Sequence, residues 1–228
     1  RNKTAIEDHF DHSFELEETL AAKGKDEALH LIKDMLHNPG SVFYVRQQQP
    51  AGLGHAVWCA RHLVGSEPVA VLLADDLILG ASCVKEMVDA YKGGNMVAVM
   101  DVPHEQTGSY GIVTPGADDG RIVQVEGLVE KPDPSSAPSN IAVVGRYIIT
   151  PDVFETLDEQ ERGAGGEIQL TDALAKQIGK APFSGVRFSG ERFDCGSKLG
   201  FLQANVAFGL HNDAIRDQLR DWLGKRLR

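Results

Sequence analysis

The sequence predicts an α/β fold in which helices flank a central, mostly parallel sheet. Short apolar runs rich in β-branched residues alternate along the chain with stretches whose apolar residues recur at helical spacing. Glycine, proline or charged residues bound each apolar run, as they do at the ends of strands. Strands that alternate with helices of about ten to fifteen residues are typical of a parallel sheet with crossover helices.

Three apolar runs are predicted as strands buried on both faces, because they are short and continuously apolar. They are SVFYV (41–45), PVAVLLA (68–74) and MVAVMDV (96–102). Apolar residues at helical spacing predict two helices between them, in HAVWCARHLV (55–64) and CVKEMVDAYK (83–92). These three strands, connected by the two helices, are predicted to form the central part of the sheet.

The flanking segments complete the predicted fold. SFELEETLAAKGKDEALHLIKDML is predicted as two short helices separated near Lys23-Gly24. RIVQVEGLVEKP and NIAVVGRYIIT are longer strands that we expect to run antiparallel, which makes the sheet mixed. TDALAKQIG, KLGFLQANVAFGLH and DAIRDQLRDWLGKRL are the closing helices. No repeat or clear linker interrupts the chain, so we predict one domain over residues 1–228, with the C-terminal helices at about 198–228.

Composition excludes several classes of function. The chain is 42% hydrophobic and 25% charged, which is ordinary for a globular protein. Its net charge of -10 argues against a nucleic acid polymer as partner, since phosphate backbones are held by clustered Lys and Arg. No stretch approaches ~18 uninterrupted apolar residues, so no membrane span is expected. Three widely spaced cysteines, Cys59, Cys83 and Cys195, fit the reduced thiols of a cytoplasmic protein.

A glutamine-rich loop, RQQQPAGLGHAV, separates the first predicted strand from the first predicted helix after it. Gln47 can present both an amide N–H and a C=O to the edge of a base, and Gly52 lets a ligand approach the backbone closely. The third glycine of a dinucleotide-binding fingerprint is missing, because Val57 stands in its place. An ordinary loop with surface glutamines is the plainer interpretation of the segment.

Carboxylates follow the strand in LLADDL and precede a glycine turn in RFDCGSKLG. Ligands gather outside the carboxyl ends of strands in open parallel sheets, so Asp75 and Asp76 lie where chemistry is expected. Asp194 could complete a metal site with Asp75, and such a site suits Mg²⁺, which takes one or two carboxylates together with water and phosphate oxygens. The alternative is that these aspartates cap helices or form turns.

GLVEKP places Glu130 and Lys131 side by side near the end of a strand. A glutamate accepts hydrogen bonds from sugar hydroxyls, and a lysine offers a point charge to phosphate. Adjacent residues of a regular strand point to opposite faces, so one of the two could be merely solvated unless the strand bends.

Taken together and in order, six fragments resemble bacterial UTP–glucose-1-phosphate uridylyltransferases, which are sugar-phosphate nucleotidyltransferases. The fragments are RQQQPAGLGHAV, PVAVLLADDLIL, SYGIV, VEKPDPSSAPSNIAVVGRYI, GAGGEIQLTDAL and FDCGSKLGFLQA. The resemblance covers nearly the whole chain. It implies the Rossmann-like nucleotide-diphospho-sugar transferase fold, with a mixed, mostly parallel central sheet flanked by helices.

The resemblance also implies roles for particular residues. Asp75 and Asp194 would hold Mg²⁺, and Lys131 would meet the phosphates, these three forming the catalytic group. Gln47 and Gly52 would recognise uracil. The glucose hydroxyls would be held by Glu130 with backbone from Gly111 and Gly145, and Glu167 would support the site.

The implied reaction converts UTP and glucose 1-phosphate to UDP-glucose and pyrophosphate by magnesium-assisted direct displacement, in nucleotide-sugar and polysaccharide biosynthesis. A homo-oligomer, dimer or tetramer, is implied as well. Two alternatives remain open: a related enzyme that uses dTTP or another sugar 1-phosphate, and a noncatalytic paralogue that binds the nucleotide sugar.

One family feature does not occur in these 228 residues. Members of the family open with a βαβ unit that carries a G-x-G-T-R-x-x-P-x-T-K-like loop around the triphosphate. We therefore expect the natural protein to be longer, and we expect a chain that begins at Arg1 to be inactive or prone to aggregation.

Overall fold

The computed structural model describes residues 4–36 and 38–226. The chain divides into two compact units, Arg1–Gln48 and Gln49–Arg228. A single domain over residues 1–228 stays a prediction.

The first unit contains three short helices. They are α1 (Thr4–His9), α2 (Phe14–Ala22) and α3 (Asp26–Asp34). Gly24 has a φ of 63°, a left-handed conformation that glycine adopts without strain, and it ends the first of the two predicted helices. The predicted pair of helices separated near Lys23-Gly24 is therefore confirmed. Neither α2 nor α3 contains a buried residue.

The prediction of a strand at SVFYV is wrong. These residues are neither helix nor strand, and the side chain of Phe43 is 64% exposed. A strand forms only when its backbone groups pair with a neighbouring strand, and the described residues of the first unit contain no strand. The apolar, β-branched composition is compatible with a strand but does not supply a partner.

The second unit contains two sheets. The larger sheet has the strand order β1-β6-β3-β7-β5-β4, and the smaller one pairs β2 with β8. The strands are β1 (Val69–Leu72), β2 (Asp76–Leu79), β3 (Asn95–Asp101), β4 (Gly111–Asp118), β5 (Ile122–Glu130), β6 (Ile141–Ile149), β7 (Phe183–Arg187) and β8 (Glu191–Asp194).

Helices accompany these sheets much as predicted. They are α4 (Leu53–Cys59), α5 (Cys83–Ala90), α6 (Asp152–Asp158), α7 (Leu170–Ala175), α8 (Lys198–His211) and α9 (Arg216–Arg226). The last two are the predicted C-terminal helices, and residues 227–228 of that prediction lie outside the described residues. None of the helices within the described ranges is long and apolar enough to cross a membrane.

The α/β class and the mixed sheet are confirmed, but the parallel part is smaller than predicted. Only β3 and β7 form a parallel ladder among the described strands of the larger sheet. Strands β1 and β3 run in the same direction, as a crossover connection predicts, but β6 lies between them and is antiparallel to both. Strand β6, which comes later in the chain, therefore separates β1 from β3, which the sequence predicted to be parallel neighbours.

The position of β1 also corrects its predicted burial. This strand stands at the end of the sheet order and pairs with β6 alone. Its residues alternate in exposure, and Leu72 is 51% exposed, so the strand is not buried on both faces. By contrast, β3 is buried from Asn95 to Val99, as predicted. Central strands in the sheet are covered on both sides, whereas an edge strand is not.

A tight glycine turn leads into β3, the buried centre of the sheet. Gly93 and Gly94 have φ angles of 97° and 77°. A methyl group at Gly94 would lie 2.0 Å from the carbonyl oxygen of Pro182, whereas one at Gly93 would meet nothing within 4 Å. An alanine at Gly93 would therefore introduce backbone strain alone, whereas an alanine at Gly94 would introduce both strain and a steric collision.

We expect Gly94→Ala to destabilise the protein by more than Gly93→Ala. The left-handed conformation costs an L-residue about 1–2 kcal/mol at either position, and the collision at Gly94 adds a further ~1–3 kcal/mol. Urea unfolding of both variants and the unaltered protein measures this. Equal destabilisation would show that the backbone near Pro182 relaxes freely.

Candidate functional site

A polar cavity of about 290 Å³ lies in the second unit. Its walls come from the beginnings of β2, β4 and α7, from the ends of β5 and β8, and from the middle of β6. The side chains that can carry charge or donate hydrogen bonds there are Asp75, Asp76, Ser109, Tyr110, Glu130, Lys131, Tyr147, Glu167, Gln169, Thr171, Arg192 and Asp194. Polar groups from segments that are distant in sequence therefore converge on one concave surface.

Most of the predicted site residues meet at this cavity. Those in its lining are Asp75, Gly111, Glu130, Lys131, Gly145, Glu167 and Asp194. Gly52 is not in the lining but directly precedes Leu53, which is. Gln47 belongs to the first unit, where it is exposed in a segment without helix or strand.

Asp75 and Asp194 approach the same point beside Gly196. A methyl group at Gly196 would lie 3.0 Å from Asp194 Oδ1 and 3.2 Å from Asp75 Oδ2. The approach is fixed by the backbone, because the amide of Cys195 donates to the carbonyl of Asp75 at 2.8 Å. The glycine thus leaves open the space between two carboxylate oxygens.

Asp76, the neighbour of Asp75, is held quite differently. It is only 4% exposed. Its Oδ2 accepts the amide hydrogen of Gly145 at 2.5 Å, and its Oδ1 accepts from Nε of Arg192. Its main-chain carbonyl accepts from Nη2 of Arg146 at 2.5 Å. Burying a charged carboxylate requires such partners, and Asp76 has them.

The structure adds Arg192 and Tyr110 to the predicted residues. The side chain of Arg192 is 13% exposed, its Nη1 lies 3.3 Å from the hydroxyl of Tyr110, and its guanidinium carbon lies 5.4 Å from the centre of that ring. Burial lowers the pKa of Arg192, but the charge of Asp76 and its hydrogen bond raise the pKa above its ordinary value. Alternation along β8 would have placed Arg192 on the same face as Asp194, which is the signal that sequence reasoning missed.

Glu130 and Lys131 both line the cavity because the chain bends between them. Strand β5 ends at Glu130, and Lys131 has a φ of 47°, which is uncommon for a residue other than glycine. The backbone amide of Lys131 donates to the carbonyl of Tyr110 at 2.9 Å, which fixes the bend. Both side chains therefore border the cavity, Glu130 nearly buried and Lys131 half exposed.

Glu130 is oriented by Thr171 at the start of α7. Its Oε2 accepts a hydrogen bond from the Thr171 hydroxyl at 2.8 Å, and its Oε1 lies 3.7 Å from Nζ of Lys131. Gly111 makes this arrangement possible, because a methyl group there would lie 2.9 Å from Thr171 Cγ2 and 3.2 Å from Glu130 Oε2. One carboxylate oxygen is thus tied to the protein wall, and the other stands beside the lysine.

The two remaining glycines fit closely against neighbouring groups. The amide of Gly145 is engaged by Asp76, and its carbonyl accepts from the amide of Leu73, so a sugar hydroxyl would compete with bonds already made. A methyl group at Gly52, where φ is 104°, would lie 2.6 Å from the carbonyl oxygen of Ile168. Both positions need glycine for packing, whatever they do for a ligand.

Glu167 enters the cavity from the loop that precedes α7. It is exposed, and its Oε2 lies 3.3 Å from Nε2 of Gln169, which also donates to the carbonyl of Ala164. This loop contains Gly165 and Gly166 at positive φ, a path that other residues rarely follow. The glycines therefore direct the chain so that Glu167 faces the site.

The residues present fit a divalent cation held by two carboxylates. Asp75 and Asp194 offer hard oxygen ligands around open space, and no hydrogen bond from the described residues occupies the Asp75 carboxylate. No group of three or more His, Cys, Asp or Glu residues in metal-binding geometry occurs in the ranges 4–36 and 38–226. A hard cation here would need ligands from water or a bound phosphate to complete its shell.

Comparison with known proteins points to one group of relatives. A family model described as nucleotidyl transferase matches residues 11–209. The UTP–glucose-1-phosphate uridylyltransferase of Komagataeibacter xylinus is 48% identical over 98% of this chain and 77% of its own length. The protein of the same name from Bacillus subtilis (strain 168) is 46% identical over 96% and 76%.

Solved structures agree with these relatives. A UDP-glucose pyrophosphorylase complexed with UDP-glucose has a TM-score of 0.83 and 38% identity, and the match covers 93% of this chain and 79% of the other. A UTP-bound UGPase from Acinetobacter baumannii has a TM-score of 0.86 and 37% identity, with coverage of 97% and 78%. The residues that line the cavity, from Leu53 to Asp194, lie within the residues 11–209 that the family model matches.

The strained bend at Lys131 predicts a difference between two substitutions. We expect Lys131→Gly to be more stable to unfolding than Lys131→Ala by about 1 kcal/mol, because glycine accepts positive φ without cost. Both variants lose the ammonium group, so the difference reports the backbone alone. Urea unfolding measures it, and equal stability would mean that the bend relaxes when the lysine is removed.

Proposed function

The chain belongs to the nucleotidyl transferase family, and from this premise we propose that it forms UDP-glucose and pyrophosphate from UTP and glucose 1-phosphate. The observation that carries the proposal is the convergence of Asp75, Lys131 and Asp194 on one cavity. Two proteins that are 48% and 46% identical over nearly the whole chain carry this activity in their names, and solved relatives were obtained with UTP and with UDP-glucose.

The reaction needs no general base. Its nucleophile is a phosphate oxygen of glucose 1-phosphate, and a phosphate monoester has a second pKa of about 6, so it is largely deprotonated at neutral pH. The protein must instead bring two polyanions together in line and stabilise charge on the α-phosphate and the departing pyrophosphate. The cavity matches this demand, since it offers charged groups and hydrogen-bond donors around open space.

The charges of the cavity support a divalent metal. Five carboxylates line it, from Asp75, Asp76, Glu130, Glu167 and Asp194. A triphosphate would be repelled by such a wall unless cations lay between them. We propose Mg²⁺ on Asp75 and Asp194, and when bound it supplies positive charge to the phosphate oxygens and orients them for displacement.

The other residues divide the remaining tasks. Lys131 borders the cavity at the left-handed bend and offers its ammonium group to the phosphates. Glu130, held by Thr171, accepts from the glucose hydroxyls, with Gly111 and Gly145 shaping the adjoining wall. The resemblance to the uridylyl family supports uracil recognition by Gln47 and Gly52 and a supporting role for Glu167.

The resemblance to bacterial uridylyltransferases supports two further proposals. One is that the protein works in the cytoplasm, where three free cysteines remain reduced. The other is that it is a homo-oligomer.

Stereochemistry tests the proposed displacement. With UTP carrying a chiral thiophosphate at the α-position, direct transfer gives UDP-glucose with inverted configuration at phosphorus. Net retention would require a covalent enzyme intermediate and would overturn the mechanism. Exchange of labelled pyrophosphate into UTP provides the second test, because in direct displacement it requires glucose 1-phosphate. Exchange without the sugar phosphate contradicts the proposal, and no turnover in either assay favours a noncatalytic binding protein.

Asp75→Asn and Asp194→Asn should each lower turnover by about a hundredfold or more, because metal-held charge stabilisation is worth several kcal/mol. Each should change the free energy of unfolding by less than about 1 kcal/mol, since neither carboxylate is fully buried. Asp89→Asn is the matched control: Asp89 is exposed on α5 and does not line the cavity. Steady-state kinetics and urea unfolding give both quantities. Loss of stability in proportion to turnover would assign the two residues a structural role instead.

Thr171→Val should raise the KM for glucose 1-phosphate about tenfold, because losing a hydrogen bond to a charged group costs about 1.5 kcal/mol. The KM for UTP should stay nearly constant, since Thr171 bonds the carboxylate assigned to the sugar. Thr171→Ser keeps the hydroxyl and should keep the normal KM. Kinetics with each substrate varied in turn decide the matter, and an equal rise in both KM values would contradict the assignment of Glu130.

A further inference from the structure

Two adjacent aspartates have opposite surroundings in this structure. Asp75 is exposed, and within the described ranges no residue donates a hydrogen bond to its carboxylate. Asp76 is buried, and each of its carboxylate oxygens is engaged, one by the amide of Gly145 and the other by Arg192. Yet Asp76 stands directly opposite Asp194 in the β2–β8 ladder, so position alone would make it the better partner for a shared cation.

Arg192 lies at the centre of this difference. It precedes Asp194 by two residues on β8 and therefore shares its face of the strand. Besides holding Asp76, its guanidinium reaches the Tyr110 hydroxyl, and the carbonyl of Tyr110 accepts the amide of Lys131. One side chain thus connects the acidic end of the cavity to the segment that carries the lysine.

We propose that Arg192 is a positioning residue that neutralises Asp76 and keeps it out of the metal's coordination shell. The divalent ion is then held by Asp75 and Asp194 alone. This inference rests on the proposed function, in which those two carboxylates are the metal ligands. A carboxylate paired with a guanidinium has its lone pairs engaged, and the fixed positive charge repels a cation from that side.

The consequence of losing Arg192 follows from the same contacts. Without the guanidinium, Asp76 becomes a buried charge with only the Gly145 amide as partner, and such a group binds the nearest cation strongly. A divalent ion would then be attracted to Asp76 as well as to the Asp75–Asp194 pair. The variant would bind metal more tightly. Its turnover would nevertheless fall, because a metal drawn to Asp76 would be misplaced for phosphates that also contact Lys131.

Binding of Mn²⁺ alone, measured from the electron paramagnetic resonance signal of the free ion, tests the inference without any nucleotide. Arg192→Met should bind Mn²⁺ about tenfold more tightly than the unaltered protein, because it leaves an uncompensated charge. Asp75→Asn should bind Mn²⁺ about tenfold or more weakly, because the number of charged ligands sets the affinity for a hard cation. Arg192→Lys, which keeps a cation near Asp76, should lie close to the unaltered protein.

The double variant D76N/R192M is the decisive control, because it removes both charges of the pair and leaves the net charge unchanged. It should return Mn²⁺ affinity to within about threefold of the unaltered protein and recover part of the turnover that Arg192→Met loses. An unchanged affinity in Arg192→Met, or a double variant no better than Arg192→Met, would overturn the inference. A residue that touched the substrate directly would give that second result.

Thermal unfolding shows which variants fold. If Arg192→Met does not fold, the double variant decides alone: an affinity tenfold below that of the unaltered protein would make Asp76 a ligand and overturn the inference. Formation of UDP-glucose by the unaltered protein tests the proposed function separately. If the unaltered protein turns over but binds no Mn²⁺ in the absence of nucleotide, the inference is overturned and the proposed function stands. If the variants bind Mn²⁺ with the expected order of affinities but the unaltered protein shows no turnover, the proposed function is overturned and the inference stands.

Discussion

The cavity depends on the burial of one charged carboxylate. Asp76 is removed from water, and this is tolerable only because β6 supplies the Gly145 amide and β8 supplies the Arg192 guanidinium. The same contacts bring β2, β6 and β8 together at fixed spacing. Asp75 and Asp194 then reach the space beside Gly196, although neither interacts with the other directly through a protein hydrogen bond in the described residues. The buried ion pair of Asp76 and Arg192 thus determines where Asp75 and Asp194 lie.

The sequence predicted helices and strands correctly where the apolar pattern within the segment is enough to distinguish a helix from a strand. Helix α5 follows from apolar spacing, and β3 follows from a continuous apolar run that becomes the buried centre of the sheet. Asp75 was predictable because it directly follows a predicted strand, at the end where ligands gather in open sheets. These inferences need no knowledge of which strand lies beside which.

Predictions failed where the outcome depends on neighbours far away in the sequence. The segment SVFYV has the composition of a strand but no partner in its unit, and β1 is at an edge because β6 separates it from β3. Arg192 was missed for the same reason: its importance lies in Asp76 and Tyr110, which come from other strands. The bend at Lys131 could be named only as a condition, since lysine gives no sequence signal for a positive φ.

The pairing of β2 with β8 has a consequence for the order in which the protein is made. Asp76 leaves the ribosome before Asp194, and more than half of the second unit is synthesised between them. Contacts between such distant positions form slowly, because a long loop must close first. A nascent chain therefore carries β2 without its partner until β8 emerges, and Asp194 joins Asp75 beside Gly196 only when β8 has formed.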